Sequence, residues 1–248
     1  MEVVDKSLLL DGDSVSWRIF KPAGSTKDWC VLWLQGWTSS MESNTEGMLR
    51  LAESSKTPFA ILDYAGHGEH RTTIEKSTKE QQLNEVFGVY DELEKLGYKK
   101  IIAIGGSFGA YMAALLSGKR PVHAVVLRAP ASYPDFEFTK PFEQTEGYTD
   151  PVAHRHNKAK PEYLNNQAVA SIRNFDGFVY VLEHEFDKII DVKIPRIYFK
   201  AAKHGNYLII PKTPHSAKEL PHPEKHYAYT EHIIRSIIGA IKLAESLG

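Results

Sequence analysis

The stretch AIGGSFGAYMAALL, residues 103–116, predicts a strand that runs through a tight turn directly into a helix. Within it, residues 105–109 match the pattern G-x-S-x-G. In that pattern the small neighbours of the serine let strand and helix pass closely, and the turn holds the hydroxyl out for chemistry. A serine that only caps a helix at a glycine-rich turn is the alternative. Which role Ser107 has depends on whether the chain supplies partners for it.

Short apolar runs rich in β-branched and aromatic residues alternate with helical patterns along the whole chain. The first two runs flank Asp11-Gly12-Asp13 and predict a hairpin. The others predict strands buried on both faces, and the alternation predicts one α/β domain over residues 1–248, a mostly parallel eight-stranded sheet flanked by helices. The predicted strands are 7–10, 14–20, 29–35, 59–64, 100–105, 123–129, 177–183 and 206–211, and the predicted helices are 80–96, 107–117 and 222–245.

An insertion at about 131–175 interrupts this alternation, since a plain crossover between two parallel strands is far shorter. It carries several aromatic residues among many charges. Long loops in compact domains usually have a function, so we expect a short cap over a site, although a surface excursion with its own small cluster is the plainer alternative. The residues predicted to bind substrate from this cap are Tyr133, Phe136, Phe138 and Phe142.

Two later strands are each followed, four residues on, by a residue that a reactive serine needs. Asp187 comes four residues after Glu183, and His215 comes four residues after Pro211. The carboxyl ends of parallel strands share one edge of a sheet, so both should lie near Ser107. A serine hydroxyl needs a base and the base needs an orienting acid. The order Ser107, Asp187, His215 is the one expected of a catalytic triad on this architecture.

Other candidates for the base and the acid are less well placed. His204 precedes its strand and should lie at the opposite edge, and His67 is expected to shape its own loop. Asp191 is expected to cap a following helix. Asp135 follows the strand that ends near Ala129, a position that some triads use, and it remains the alternative acid.

Two backbone N–H groups are needed to receive the negative charge that develops on a carbonyl oxygen under attack. We expect one from Phe108, next after the serine, and the other from Trp37, after the strand at residues 29–35. Gly36 would let this loop approach closely. The Trp37 side chain could serve equally as a core aromatic.

Five segments in order resemble the α/β-hydrolase family, and together they cover nearly the whole chain. They are LWLQGW (32–37), DYAGHGEH (63–70), GGSFGAYMA (105–113), LEHEFDKII (182–190) and IIPKTPHS (209–216). The resemblance implies the α/β-hydrolase fold, with Ser107 as nucleophile, His215 as base and Asp187 as acid. Gln35 stands where most relatives have histidine, and its amide can donate or accept as an imidazole would; His184 replaces a frequent His-Gly pair.

The substrate class is implied less specifically. APA at 129–131 followed by an insertion is similar to small carboxylesterases, including feruloyl esterases, whose cap covers an aromatic acyl pocket. The serine segment also resembles prolyl-oligopeptidase-like peptidases, and DYAGHGEH resembles acyl-protein thioesterases and acylglycerol lipases. We therefore predict a serine carboxylesterase for small soluble esters, aromatic acyl esters included. Thioester, lipid-ester or peptide cleavage on the same triad, or a non-enzymatic binding role, are the alternatives.

The composition limits the kinds of binding partner that we expect for this chain. With 30 basic against 31 acidic residues the net charge is −1, which does not favour nucleic acid. Cys30 is the only cysteine, so no internal disulfide is possible, and a cytoplasmic location is expected. The amino-terminal stretch has a short apolar run broken by charge, so we expect it to be neither a signal peptide nor a membrane span. We expect a small-molecule ester as partner and a monomer or homodimer.

No metal or cofactor is predicted. His154 and His156, and likewise His222 and His226, have a spacing that could chelate, but neither pair has a convincing third ligand. The glycine-rich segment also lacks the lysine of a phosphate-binding loop.

Overall fold

The computed structural model describes residues 1–68, 74–150, 160–216 and 219–247, and for residues 223–226 it describes the backbone alone. All eight predicted strands are present in one sheet of order β1-β2-β4-β3-β5-β6-β7-β8. β2 pairs antiparallel with β1 and β4, and the six strands β3 to β8 run parallel to one another. The strands are β1 (Glu2–Leu10), β2 (Asp13–Lys21), β3 (Trp29–Leu34), β4 (Phe59–Leu62), β5 (Lys100–Gly106), β6 (Ala124–Arg128), β7 (Phe178–His184) and β8 (His204–Ile210).

The described helices cover both faces of the sheet. They are α1 (Met41–Ser55), α2 (Lys79–Lys95), α3 (Phe108–Ser117), α4 (Glu146–Thr149), α5 (Pro161–Leu164), α6 (Gln167–Asn174), α7 (Lys193–Ala201) and α8 (Pro223–Leu247). One core lies between the sheet and α2, α3, α6 and α7. The other lies between the sheet and α1 and α8. The predicted α/β architecture is confirmed.

Two details differ from the sequence-based expectation. The prediction that β8 is buried on both faces was wrong: β8 pairs only with β7 at the end of the sheet, and most of its residues are exposed or half-buried. Helix α1 was not predicted at all. It begins with a capping box between Ser40 and Ser43 and packs on the sheet through Met48, Leu51 and Ala52.

The segment between β6 and β7 has two parts. Its first part holds two short 3-10 helices, Asp135–Glu137 and Phe142–Gln144, and the helices α4 and α5; residues 151–159 lie outside the described ranges. Its last part is α6, whose Ala168, Val169 and Ile172 lie in the main core beside α3. The predicted cap at 131–175 thus includes a helix that belongs to the body of the domain.

The first part of this segment is attached to the start of α2. The Glu80 N–H donates to the carbonyl of Phe138, and the Phe142 N–H donates to the carbonyl of Ser77, at 3.1 and 3.0 Å. These bonds place the segment over the carboxyl edge of the sheet. None of the described helices combines the length and apolar character that a membrane span needs.

Candidate active site

Ser107 lies at the junction of β5 and α3 with a strained backbone. Its φ is 53° and its ψ is −116°, a combination that residues other than glycine rarely adopt. The strained residue is therefore the serine itself, and the neighbouring Gly105 and Gly106 do not have positive φ. The hydroxyl makes no capping bond to the helix. A simple capping role, the alternative left open by the sequence, does not describe what this side chain does.

The two glycines before Ser107 have different roles. A Cβ on Gly105 would lie 2.1 Å from the carbonyl oxygen of Gly109 and 2.4 Å from the Ala110 nitrogen, so a side chain there would push strand and helix apart. A Cβ on Gly106 would meet nothing within 4 Å. Close packing requires the first glycine, whereas the second occupies open space.

Gly105→Ala is therefore expected to destabilise the protein by about 2–3 kcal/mol, because backbone atoms must move to admit the methyl group. Gly106→Ala is the matched control and should change stability by less than about 0.5 kcal/mol. Urea denaturation of both variants measures this difference. Equal destabilisation by the two substitutions would show that the close contact at Gly105 is not what the sequence needs.

His215 links Ser107 to Asp187 through its two ring nitrogens. Nδ1 lies 2.7 Å from Oδ2 of Asp187, and Nε2 lies 3.0 Å from Oγ of Ser107. A carboxylate only accepts hydrogen bonds, so Nδ1 carries the proton and Nε2 is left to accept from the serine hydroxyl. The structure thus brings together the three residues that the strand ends predicted.

Asp187 is held in a fixed orientation and in its charged form. Its Oδ1 accepts from the N–H groups of Ile189 and Ile190 at 2.7 and 2.9 Å. Burial raises the pKa of the carboxyl, but the hydrogen bonds from His215 and from these amides outweigh it and leave the pKa below its usual value. The carboxylate is therefore ionised at neutral pH and can stabilise a positive His215.

The rival candidates lie elsewhere. Asp135 accepts from the N–H of Gln167 at 3.0 Å, and Asp191 accepts from the N–H of Lys193 at 2.8 Å near the start of α7. His204 begins β8 at the amino edge of the sheet, away from Ser107. His67 is buried in its own loop, with its ring against those of Tyr64 and Trp37.

The loop after β3 lies against Ser107. A Cβ on Gly36 would be 3.5 Å from the carbonyl oxygen of Gly106 and 3.8 Å from Cβ of Ser107. The Gln35 side chain fixes this loop by donating to Asp63 Oδ1 at 2.9 Å and accepting from Asn44 at 3.3 Å. An amide thus makes the anchoring bonds here at the position where relatives were expected to have histidine.

The backbone N–H of Trp37 belongs to this loop. Its indole ring packs on Phe142, with the ring centroids 4.1 Å apart. Phe108 begins α3, so its N–H belongs to the first turn, where helix N–H groups have no partner within the helix. An oxyanion role for these two N–H groups stays a prediction.

A cavity of about 700 Å³ opens at Ser107 and His215. Of the four aromatic residues predicted to bind substrate, Tyr133 and Phe142 line it. Phe138 packs against the main core instead, and Phe136 is 62% exposed on the surface. The structure therefore brings two of the four to the cavity, together with Trp37 and Tyr148, which also line it.

The cavity is also lined by a buried ion pair, Lys79–Glu137, that the sequence analysis did not identify. Lys79, at the start of α2, lies 3.4 Å from a carboxylate oxygen of Glu137 in the inserted segment, and both are almost fully buried. The ammonium also lies 4.9 Å from the ring centroids of Tyr133 and Phe142. Burial lowers the pKa of Lys79 to about 8, although Glu137 raises it. Lys79 thus ties the inserted segment to the body and holds two aromatic rings at the cavity.

Arg128 is a second charged residue of the cavity that the sequence analysis did not single out. Arg128 is the last residue of β6. The sequence could have indicated it, because a charged residue near the end of the otherwise apolar run HAVVLRA is unusual. Its guanidinium lies 4.9 Å from the ring centroid of Trp33.

His184, at the end of β7, is buried against the loop that carries His215. Its Nδ1 lies 2.9 Å from the carbonyl oxygen of Pro214 and therefore donates to it. Burial, and after it the charge of Arg128, lowers the pKa of His184 to about 4, against the influence of that carbonyl. The ring is neutral at pH 7 and supports the loop that carries His215.

This burial predicts a pH dependence of stability. The pKa of His184 is lower in the folded state than the ordinary 6.5, so the unfolded chain binds more protons between pH 6.5 and pH 4. Stability is full above pH 6.5 and falls as the pH drops, by about 3 kcal/mol for this group. His184→Gln retains a donor for Pro214 but does not titrate. Urea denaturation at pH 7 and pH 4 should show the larger loss in the wild type; equal losses would contradict the prediction.

No group of three or more potential metal-ligating side chains occurs in the part of the chain that the structure describes. His154 and His156 lie outside the described residues, and the His226 side chain is likewise not described. The metal pairings considered from the sequence are therefore not addressed by the geometry.

Comparisons with known proteins agree with this architecture. A family model described as "alpha/beta hydrolase fold" matches residues 30–151. A solved arylesterase is 18% identical with a TM-score of 0.71, covering 96% of this chain and 83% of its own. An esterase from Pyrobaculum calidifontis is 18% identical with a TM-score of 0.67, covering 96% and 85%. Est1E from Butyrivibrio proteoclasticus, solved with ferulic acid bound, is 15% identical with a TM-score of 0.69, covering 94% and 99%. No curated protein matches at a significant level.

Proposed function

Since this chain has the α/β-hydrolase fold and resembles solved esterases, we propose that it is a serine hydrolase of small soluble carboxylic esters. The observation that carries the proposal is the hydrogen-bonded chain Ser107–His215–Asp187 at the mouth of a cavity of about 700 Å³. An ester carbonyl that enters the cavity would meet a hydroxyl already bonded to its base.

Acylation follows from these contacts. The Ser107 oxygen attacks the carbonyl carbon while Nε2 of His215 takes its proton, and Asp187 stabilises the imidazolium that forms. The backbone N–H groups of Trp37 and Phe108 receive the negative charge on the carbonyl oxygen. The alcohol then leaves with the proton from Nε2, and the acyl group stays on Ser107.

Deacylation repeats the same steps with water. Nε2 of His215 takes a proton from a water molecule, whose oxygen attacks the acyl carbon, and the proton then returns to Ser107 as the acid departs. All proton transfers use side chains that are already in contact, and no cofactor enters the scheme.

The walls of the cavity favour an aromatic group on the substrate. Trp37, Tyr133 and Phe142 present ring faces and edges close to Ser107. Aromatic groups gain from offset or edge-to-face contacts with such rings beyond the burial of their area. Aromatic acyl esters therefore belong to the substrate class that we propose, consistent with a feruloyl-type preference.

The proposal is tested with a panel of benzoyl and acetyl compounds, each as an oxygen ester, a thioester and an anilide. We expect the oxygen esters to have the highest kcat/KM, and benzoyl to exceed acetyl. A fluorophosphonate should label the wild-type protein. Turnover of thioesters or anilides alone would replace the proposal with one of the alternative acyl transfers, and absence of both labelling and turnover would reduce the chain to a binding protein.

A further inference from the structure

Arg128 lies on a different side of the cavity from Trp37, Tyr133 and Phe142. Along β6, Val125 and Leu127 face the core of α2 and α3, while Ala124 and Val126 face the core of α1 and α8. Alternation along a strand puts Arg128 with the second set. Its neighbours there are Trp33 and Tyr227, which also belong to that side and line the cavity.

This guanidinium is buried without an acceptor among the residues that the structure describes. Arg128 is only 8% exposed, and no described residue accepts a hydrogen bond or forms an ion pair with its side chain. Its Nε in particular is buried without a partner. Burial lowers the pKa of Arg128 to about 10, so the group is still charged at neutral pH.

A buried unpaired charge is costly for a protein, and arginine is found buried almost only where it is paired. Here the contact with Trp33 supplies a cation–π attraction, but it gives the N–H donors no acceptor, and Nε has none among the described residues. The side chain lines the same cavity as Ser107, to whose N–H the Arg128 carbonyl is bonded at 2.9 Å. An anion bound in the cavity would supply the acceptor that the described residues do not.

We propose that Arg128 binds an anionic group of the ester substrate, a carboxylate or a phosphate, through its planar fork of N–H donors. This inference rests on the proposed esterase function and makes it specific: the substrate is a charged ester, with its reacting carbonyl at Ser107 and its anion beside Trp33. The near-neutral charge of the chain gives no hint of this preference, which arises from one buried residue.

Three matched esters test the proposal: 3-acetoxypropanoate, its neutral methyl ester, and 2-acetoxyethyl phosphate. The mono- and dimethyl esters of glutaric acid place the charge on the acyl side instead. We expect kcat/KM for an anionic ester to exceed that of its neutral counterpart by about 10- to 100-fold, the usual range for charge-assisted hydrogen bonds. Arg128→Met should remove this ratio. Arg173→Met, which removes an exposed arginine of α6, is the matched control and should keep it.

Binding to Ser107→Ala protein is measured in parallel by calorimetry with the same unreacted esters. Anion-dependent binding that disappears in Ser107→Ala/Arg128→Met supports the anion site. Equal kcat/KM and equal binding for charged and neutral esters would overturn it while leaving the esterase proposal intact. If no ester is hydrolysed but the Arg128-dependent binding is present, the esterase proposal fails and the anion site stands. The carboxylate and phosphate arms identify which anion is preferred.

Discussion

Ser107→Ala is expected to lower kcat/KM for 4-nitrophenyl benzoate by about 10⁴- to 10⁶-fold, the loss that removal of a nucleophile causes in comparable triads. The methyl group cannot form an acyl-enzyme, and His215 loses the hydroxyl whose oxygen lies 3.0 Å from its Nε2. What remains is the small stabilisation that the cavity and the backbone N–H groups give to attack by water.

The control for this prediction is Ser117→Ala, at the far end of the same helix. The Ser117 hydroxyl donates to the carbonyl of Ala114 at 2.7 Å and has no contact with His215. Its loss should leave kcat/KM within about threefold of the wild type, as expected for a substitution outside the site. Initial-rate assays give kcat/KM for both variants and for the wild type. Hydrolysis that survives in Ser107→Ala would remove this serine from the mechanism.

The sequence was sufficient to predict the sheet and the three linked residues because both depend on local patterns. A buried strand is an apolar run, and in a parallel sheet every such run delivers its next few residues to the same edge. Asp187 and His215 could therefore be placed near Ser107 without knowledge of the side-chain packing. The distances of 2.7 and 3.0 Å required the structure.

Features that depend on contacts between distant parts of the chain were missed. Helix α1 has only a thin apolar stripe, and it is stabilised by packing against the sheet and α8 more than by its own pattern. The prediction for β8 failed because an apolar run does not reveal whether a strand is central or at the edge of the sheet. β8 is an edge strand, and most of its side chains are therefore less covered than those of the central strands. Phe136 and Phe142 look alike in sequence, yet only Phe142 reaches the cavity.

The buried charges illustrate the same limit. Lys79 begins an amphipathic helix, where a lysine normally faces solvent, and only the arrival of Glu137 from the inserted segment encloses it. Arg128 is more visible, since a charge within an apolar strand is unusual. That none of the described residues offers its Nε an acceptor is nevertheless a property of the folded cavity and cannot be read from the strand.

Asp187→Asn is expected to lower kcat by about 10⁴-fold at neutral pH, as in other Ser-His-Asp triads. The Oδ1 atom can still accept from the N–H groups of Ile189 and Ile190, so the turn should keep its shape. The amide NH₂ then faces His215 in place of Oδ2. A donor at that position selects the tautomer with the proton on Nε2, which can no longer accept the proton of Ser107.

Asp135→Asn distinguishes this mechanism from the alternative acid. The Asp135 carboxylate accepts only the N–H of Gln167 among the described residues, and an asparagine can retain that bond. We therefore expect kcat within about threefold of the wild type for this variant, as for other substitutions away from the reacting groups. Unfolding curves should show that both variants are folded. A large loss of kcat in Asp135→Asn together with a small loss in Asp187→Asn would contradict the assignment. The 2.7 Å contact between His215 and Asp187 would then only orient the imidazole ring, and Asp135 would stabilise its positive charge.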